Sequence, residues 1–424
     1  MNNDNNTLVI IGAGASGIIA AIKAKESNKN LNVILIEKTN SIGNKIKITG
    51  KGRCNITFDG DLEYFKNNIT HNPKFMYSSF NRFTNKDLLS YINDLGIATK
   101  LERGNRYFLA SDDASQLVNK FKDKLNKLNV IVKLNESVKE IIVKDNIALS
   151  VITDKATYLT SKVILSTGGK SYPGTGSTGD GYSIAKKLGH SIVDIKPGLV
   201  GLKSNDSICK ELQGLNLKNI AITVTDTDKV IFNDFGEMLF THFGISGPVV
   251  LSSSSKINRV DNLEEKLINN NIIFHIDLKP ALDKDTLDKR LQKDFAKYSN
   301  KEFKNALNDL LPKSMIDTII NLSNIDENKK VHQISKEERL KLLNLLKDFK
   351  ININALMSIE TGIITCGGIN IKEINPKTLE SKKVKGLYFA GEVMDIDAYT
   401  GGFNLQIAFS TGVSASYYAT LCEE

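Results

Sequence analysis

The sequence predicts an α/β protein: a three-layer nucleotide-binding domain interrupted by an inserted β-rich domain and a helical lid. Three observations carry that expectation. An apolar run, Leu8-Val9-Ile10-Ile11, stops at Gly12-Ala13-Gly14-Ala15-Ser16-Gly17, passes into a helix-like run at 18–24, and is followed by a second apolar run at 33–36 that ends in Glu37. Two later apolar runs, at 163–166 and 386–390, also stop at glycines. Between them the pattern turns strand-rich from about residue 192 and helical and Lys-rich from about 283 to 349, so the two ends of the chain belong to one domain.

Strand, glycine turn, helix, strand and acid, in that register, form the dinucleotide fingerprint G-x-G-x-x-G and make the domain Rossmann-like. Gly12 permits the tight turn, Gly14 lets the backbone approach a pyrophosphate, and Gly17 lets the helix pack on the strand. With Ala15 and Ser16 they make the expected phosphate cradle, at a helix N-terminus whose free N–H groups and positive dipole end favour anions. Glu37 stands 20 residues after Gly17. It is placed to accept from both ribose hydroxyls and would repel a 2′-phosphate, so the expected resident is FAD or NAD, not NADP.

At 424 residues the chain is long for one core, and boundaries are expected near 1–191, 192–278, 279–354 and 355–424. The net charge of +8 comes from 56 basic and 48 acidic residues, a balance that suits an anionic partner such as RNA without any block of like charge to mark a binding tail. Cys54, Cys209, Cys366 and Cys422 are scattered, with no C-x-x-C pair. That argues against a disulfide framework, a zinc or other metal site, or a redox dithiol. The polar start MNNDNN and the lack of an apolar run of membrane-spanning length lead to an expected cytoplasmic protein. No obligate protein partner is implied.

After Glu37 a loop at 42–55 holds Gly43, Gly50 and Gly52 beside Lys45, Lys47, Lys51 and Arg53. It reads as a packed loop running along the pyrophosphate toward a flavin ring, with Arg53 and backbone amides as donors. Residues 73–101 read as one or two helices capped at Gly96, residues 113–128 as an amphipathic helix, and 130–132 as a strand. Residues 138–143 and 148–152 read as a hairpin turning at Asp145-Asn146, with Val138 placed to pair its backbone with an adenine edge. Gly174-x-Gly176-x-x-Gly179 repeats the dinucleotide string, but a loop precedes it instead of a strand. It is expected beside the flavin, and no second nucleotide domain is expected. Within the insertion, Ile220, Ile222 and Val224 alternate as a strand, and 233–237 read as the turn of a hairpin.

Gly391 and Glu392 after the last strand, followed by a glycine-started helix, favour FAD over NAD. The acid is suited to ribityl hydroxyls. The helix that begins near Gly402 is suited to aim N–H groups at the flavin carbonyl that gains negative charge on reduction.

The strings GAGASGIIAAI, TGKGRCN, STGGKSYPGTGSTGDGY, FTHFGISGP, INPKTLESK and GLYFAGEVMDIDAYTGGFNLQIAFSTG resemble those of the BaiN/RdsA-type bacterial flavoproteins, also called aminoacetone-oxidase-like. The resemblance covers nearly the whole chain. Two departures are Lys51, where glycine is usual, and Phe108-Leu109, where Phe-Pro is usual. The resemblance implies FAD contacts at Gly12, Gly14, Gly17, Glu37, Lys38, Arg53, Cys54, Val138, Thr167, Gly168, Glu392, Asn404, Leu405 and Gln406. Gly50, Gly391 and Gly402 complete the expected cofactor set. The resemblance also implies NADH- or NADPH-driven reduction of a C=C conjugated to a carbonyl, in an enone or in uridine of ribosomal RNA, or oxidation of a small amine by oxygen. Reduction needs a proton donor and a donor to the carbonyl oxygen, for which Tyr399, Tyr172, His242 and Cys54 are candidates. Basic charge and the Lys-rich insertion point to the RNA version. The alternatives are an aminoacetone-type amine oxidase and, in another class, a non-enzymatic flavin-holding module.

Overall fold

The first apolar run forms the strand Thr7–Ile11 at the centre of a five-stranded sheet whose order is Leu387–Phe389, Lys162–Leu165, Thr7–Ile11, Asn32–Ile36, Ile131–Lys133. All four pairings are parallel. Leu8, Val9 and Ile10 are fully buried, which is why the strand reads as continuous apolar sequence and not as an alternation. The computed structural model describes residues 6–421; Cys422 and the first five residues of the polar start lie outside the described residues.

The helix Ala15–Ser27 follows the glycine turn and packs against the C-terminal helix Phe403–Thr420. The two approach closely because both faces are small: a Cβ on Gly412 would stand 2.4 Å from the Ser16 carbonyl oxygen. A three-stranded antiparallel meander, Val138–Lys144, Ile147–Thr153 and Thr157–Leu159, adds its buried Ile141, Ala148 and Val151 to the same core. Its first turn is at Asp145 and Asn146, with φ of +52° and +60°. That is the left-handed pair a tight hairpin requires.

The stretch 73–101 breaks into more pieces than its periodicity suggests. A 3-10 turn Pro73–Met76 and a short helix Tyr77–Arg82 precede the helix Asn85–Asp94, which a Thr84–Asp87 capping box starts. The strand Thr99–Glu102 then joins a small antiparallel sheet with Arg106–Leu109 and Asn55–Phe58.

The chain divides into two units, residues 1–198 with 359–424, and residues 199–358. The strand Ile192–Gly198, strand-rich like the insertion, pairs antiparallel with Ile364–Ile369 inside the nucleotide-binding unit. The second unit is built on a seven-stranded sheet and carries the helices Lys284–Lys297, Lys313–Ser323 and Lys336–Lys347. Here one expectation fails. Residues 233–237 are not a turn but the middle of one strand, Lys229–Thr241, which pairs with Asn216–Asp226. The hairpin turns instead at Thr227, φ +56°. Asn233, Asp234 and Phe235 look like turn material because they are solvent-facing residues of an antiparallel strand.

Candidate active site

The glycine turn adopts the geometry its residues permit. Gly12 has φ +98°, and a Cβ there would stand 2.7 Å from the Ser166 carbonyl oxygen. Gly17 lies so near the first strand that its Cβ would be 1.9 Å from the Gly12 carbonyl oxygen. A Cβ on Gly14 would meet nothing within 4 Å, so at the helix N-terminus the backbone faces open space.

Two recesses open from this turn and share Gly12, Glu37, Thr167 and Gly176, which makes them one elongated cleft in the first unit. One end is lined by Lys38, Val138 and Asp180. Glu37 closes the second strand there. Its Oε2 accepts from the Ala13 N–H, and its Oε1 from the Thr39 N–H and hydroxyl, each at 2.9 Å. Lys38 donates to Thr178 and Asp180. Asp180 is held below the ordinary carboxylate range: burial alone would raise it, but the Lys38 ammonium and the Thr178 hydroxyl outweigh that.

The other end is lined by Ala15, Ser16, Lys45, Thr49, Gly168, Ile363, Glu392, Asn404 and Leu405. Lys45 donates to Glu392 at 2.8 and 3.1 Å and to the Ser171 hydroxyl at 2.6 Å. The Thr365 N–H donates to Glu392 Oε1 at 2.7 Å. The Ser171 hydroxyl also donates to Glu392 Oε1, at 3.2 Å, so three remote segments converge on one carboxylate. Asn404 bonds both ways with the Ala398 backbone, at 2.8 and 3.0 Å, which fixes the start of the C-terminal helix at the cleft.

These residues fit an extended dinucleotide. The open face at Gly14 leaves room for phosphate where N–H groups converge. Thr167, shared by both ends, has a buried hydroxyl with no hydrogen-bond partner among the described residues, as expected of a group whose partner is a ligand.

Other expected residues stand behind the walls. Gly391, φ +77°, packs on Ser16 and donates its N–H to the Thr411 hydroxyl at 2.9 Å. Gly402, φ +96°, presses against the Thr57 backbone. Gln406 is fully buried, accepting from the Thr57 hydroxyl at 2.6 Å and donating to Phe83 and Ser410. Gly50 holds its loop against Asn55. Arg53 turns outward: its guanidinium pairs with Glu102 and Asp112 and lies 4.4 Å over the Phe108 ring. It does not line the cleft, and Cys54 does not either. The Cys54 thiol is sealed, and burial pushes it up to about 12.

Among the proton-donor candidates, Tyr399 is half-buried and its carbonyl accepts from the Asn404 side chain at 3.2 Å. Tyr172 is 37% exposed, with φ +52°, beside the Thr175–Ser177 wall of the cleft. His242 belongs to the second unit, exposed, with its ring edge-on to Phe243. Lys45, Ser171 and Thr365 are the site residues that the sequence pattern did not single out. Lys45 stood out only as one base among four in its loop, and nothing local marks the other two.

Known proteins accord with this architecture. An Escherichia coli (strain K12) protein named ribosomal RNA dihydrouridine synthase is 31% identical over 405 residues, covering 95% of each chain. A Clostridium scindens protein named 3-dehydro-bile acid delta(4,6)-reductase is 30% identical over 413 residues, 97% of this chain and 98% of that one. The solved structure of a 3-ketosteroid-delta4-(5alpha)-dehydrogenase from Rhodococcus jostii RHA1 shares the fold, with a TM-score of 0.54 at 12% identity, covering 100% of this chain and 98% of that one. The family model described as HI0933-like protein Rossmann domain matches residues 6–418, so the chain belongs to that family and is a flavin-dependent oxidoreductase.

Proposed function

We propose that this oxidoreductase uses NADH or NADPH to reduce a C=C bond conjugated to a carbonyl, and that its substrate is uridine of 23S ribosomal RNA, converted to dihydrouridine. The observation that carries the chemistry is the cleft end at Asn404 and Leu405. There the 18-residue helix Phe403–Thr420 begins without a side-chain cap, beside apolar Ile363, Ile364 and Ile396. Free N–H groups at that helix start favour an electron-rich ring system, and apolar walls exclude water from it. The substrate is supported by the near-full-length likeness to the Escherichia coli protein of that name.

FAD, when bound, supplies the hydride that adds to the carbon β to the carbonyl. The remaining work falls to this chain. Gly12, Gly14, Ala15 and Ser16 hold the pyrophosphate, Glu37 the adenosine ribose, and Lys45 with Glu392 the ribityl region. Tyr399, whose backbone carbonyl is held by Asn404, is the proposed proton donor to the α carbon, and Tyr172 the proposed donor to the carbonyl oxygen. Cys54 is sealed and its thiol too weak an acid for this task. A cytoplasmic location belongs to the same reading.

A small-molecule enone is the second reading, favoured by the likeness to the Clostridium scindens reductase. Mass spectrometry of digested ribosomal RNA from a deletion strain separates the two. Loss of a dihydrouridine that a plasmid copy restores supports the RNA substrate. An unchanged digest defeats it, and the enone reading then requires that a steroid-like enone reoxidise the reduced enzyme.

A further inference from the structure

In the second unit a cavity of ≈ 280 Å³ lies between the long strand Asn216–Asp226, the end of the central strand Ile272–Asp277 and the start of the helix Lys313–Ser323. Its walls are apolar: Leu217, Leu278, Leu311 and Met315. Asn216, Ile220 and Pro312 also line it, together with two lysines, the exposed Lys218 and the half-buried Lys279. Among the described residues neither ammonium has an acceptor, whereas the half-buried Lys266 and Lys347 of the same unit pair with Asp226 and Asp277. Lys279 is half-buried, and burial, then the neighbouring Arg290, holds it below the ordinary lysine range. A half-buried ammonium without an acceptor carries a desolvation cost that a bound anion would offset. A bulge interrupts the strand between Leu217 and Ile220, with Asn219 at φ +54°, at the rim of this cavity. Bulges of that kind re-aim the neighbouring side chain.

We propose that this cavity binds an amphiphilic organic anion, its carboxylate or phosphate head between Lys279 and Lys218 and its hydrocarbon body among Leu217, Leu278, Leu311 and Met315. The site is independent of the cofactor cleft, whose lining residues all belong to the other unit.

Calorimetric titration of the flavin-loaded protein with decanoate, decyl phosphate and decanol tests it. Decanoate or decyl phosphate should bind saturably, at least tenfold more tightly than decanol, and the tighter of the two identifies the head group. Lys279→Met should abolish the preference for the anion while leaving flavin content and the circular-dichroism spectrum unchanged, and Lys279→Arg should keep it. Lys218→Met should weaken anion binding in the same direction. Equal binding of decanol and the anions, no saturable binding of either anion, or an unaltered preference in Lys279→Met overturns the proposal.

Discussion

Lys45 and Glu392 come from opposite ends of the chain, 347 residues apart, and meet at 2.8 Å in the wall of the cleft. Both are only about a quarter exposed, so their pairing is screened less than a surface ion pair. Removing the ammonium leaves Glu392 with the Ser171 hydroxyl and the Thr365 N–H, but with no opposite charge beside it. A hydrogen bond to a charged group contributes roughly 1.5–3 kcal/mol. Lys45→Met is therefore expected to raise the Kd for FAD by about ten- to hundredfold in a fluorescence titration of the apo-protein. An unchanged Kd would make the pair a structural tie alone. Tyr399→Phe probes the proton instead. General acids contribute about 10²-fold or more, so C=C reduction should fall by at least that factor. Flavin reduction by NADH or NADPH in stopped flow should be unaffected. Equal loss in both half-reactions would remove Tyr399 from the role of proton donor.

At the scale of elements, the two helices that seal the nucleotide-binding unit meet through Gly412. Alanine usually adds about 1 kcal/mol of helix propensity over glycine. Here its Cβ would stand 2.4 Å from the Ser16 carbonyl oxygen and 2.6 Å from Ile19. Overpacking of that kind costs roughly 1–3 kcal/mol, so the balance turns destabilising. Gly412→Ala should lower the Tm by several degrees and loosen FAD, because Ser16 belongs to the phosphate turn. A raised Tm would mean the helices separate freely. What the sequence discloses and what it conceals divide along the same line. The turn at 12–17, the hairpin at Asp145-Asn146 and the small-residue helix were legible because each is decided within a few residues by backbone sterics or by period. The strand Lys229–Thr241 was not, because its polar middle is explained only by a partner strand that faces solvent. The site follows the same rule. Gly12, Gly14, Glu37 and Val138 announce themselves locally and do line the cleft. Arg53 belongs to the same loop as Lys45 yet turns outward, because Glu102 and Asp112 lie nearby in space and not in sequence.

At the scale of the whole molecule, charge is distributed against the first impression. The Lys-rich helices suggested that the insertion carries the basic character. Residues 199–358 in fact hold 23 bases and 22 acids, a net of +1, while the rest of the chain holds 33 and 26, a net of +7. The lysines of the insertion are matched by acids such as Asp288, Asp309 and Glu338, which pair with Arg339, Lys297 and Lys329. If RNA is the substrate, its phosphates should therefore be read by the nucleotide-binding unit, where the helix Ala114–Lys127 presents Lys120, Lys122 and Lys127 to solvent. Neutralising a phosphate releases counter-ions, so the KM for an RNA fragment should rise steeply with salt. The slope on a log–log plot should fall by roughly 0.7 for each single-strand phosphate that a variant no longer neutralises. The double variant Lys120→Glu, Lys122→Glu should show a weaker KM at low salt and a shallower slope, with turnover of a neutral enone unchanged. A variant with the wild-type slope would place the RNA on another surface, and a wild-type enzyme with no salt dependence at all would favour the small-molecule substrate.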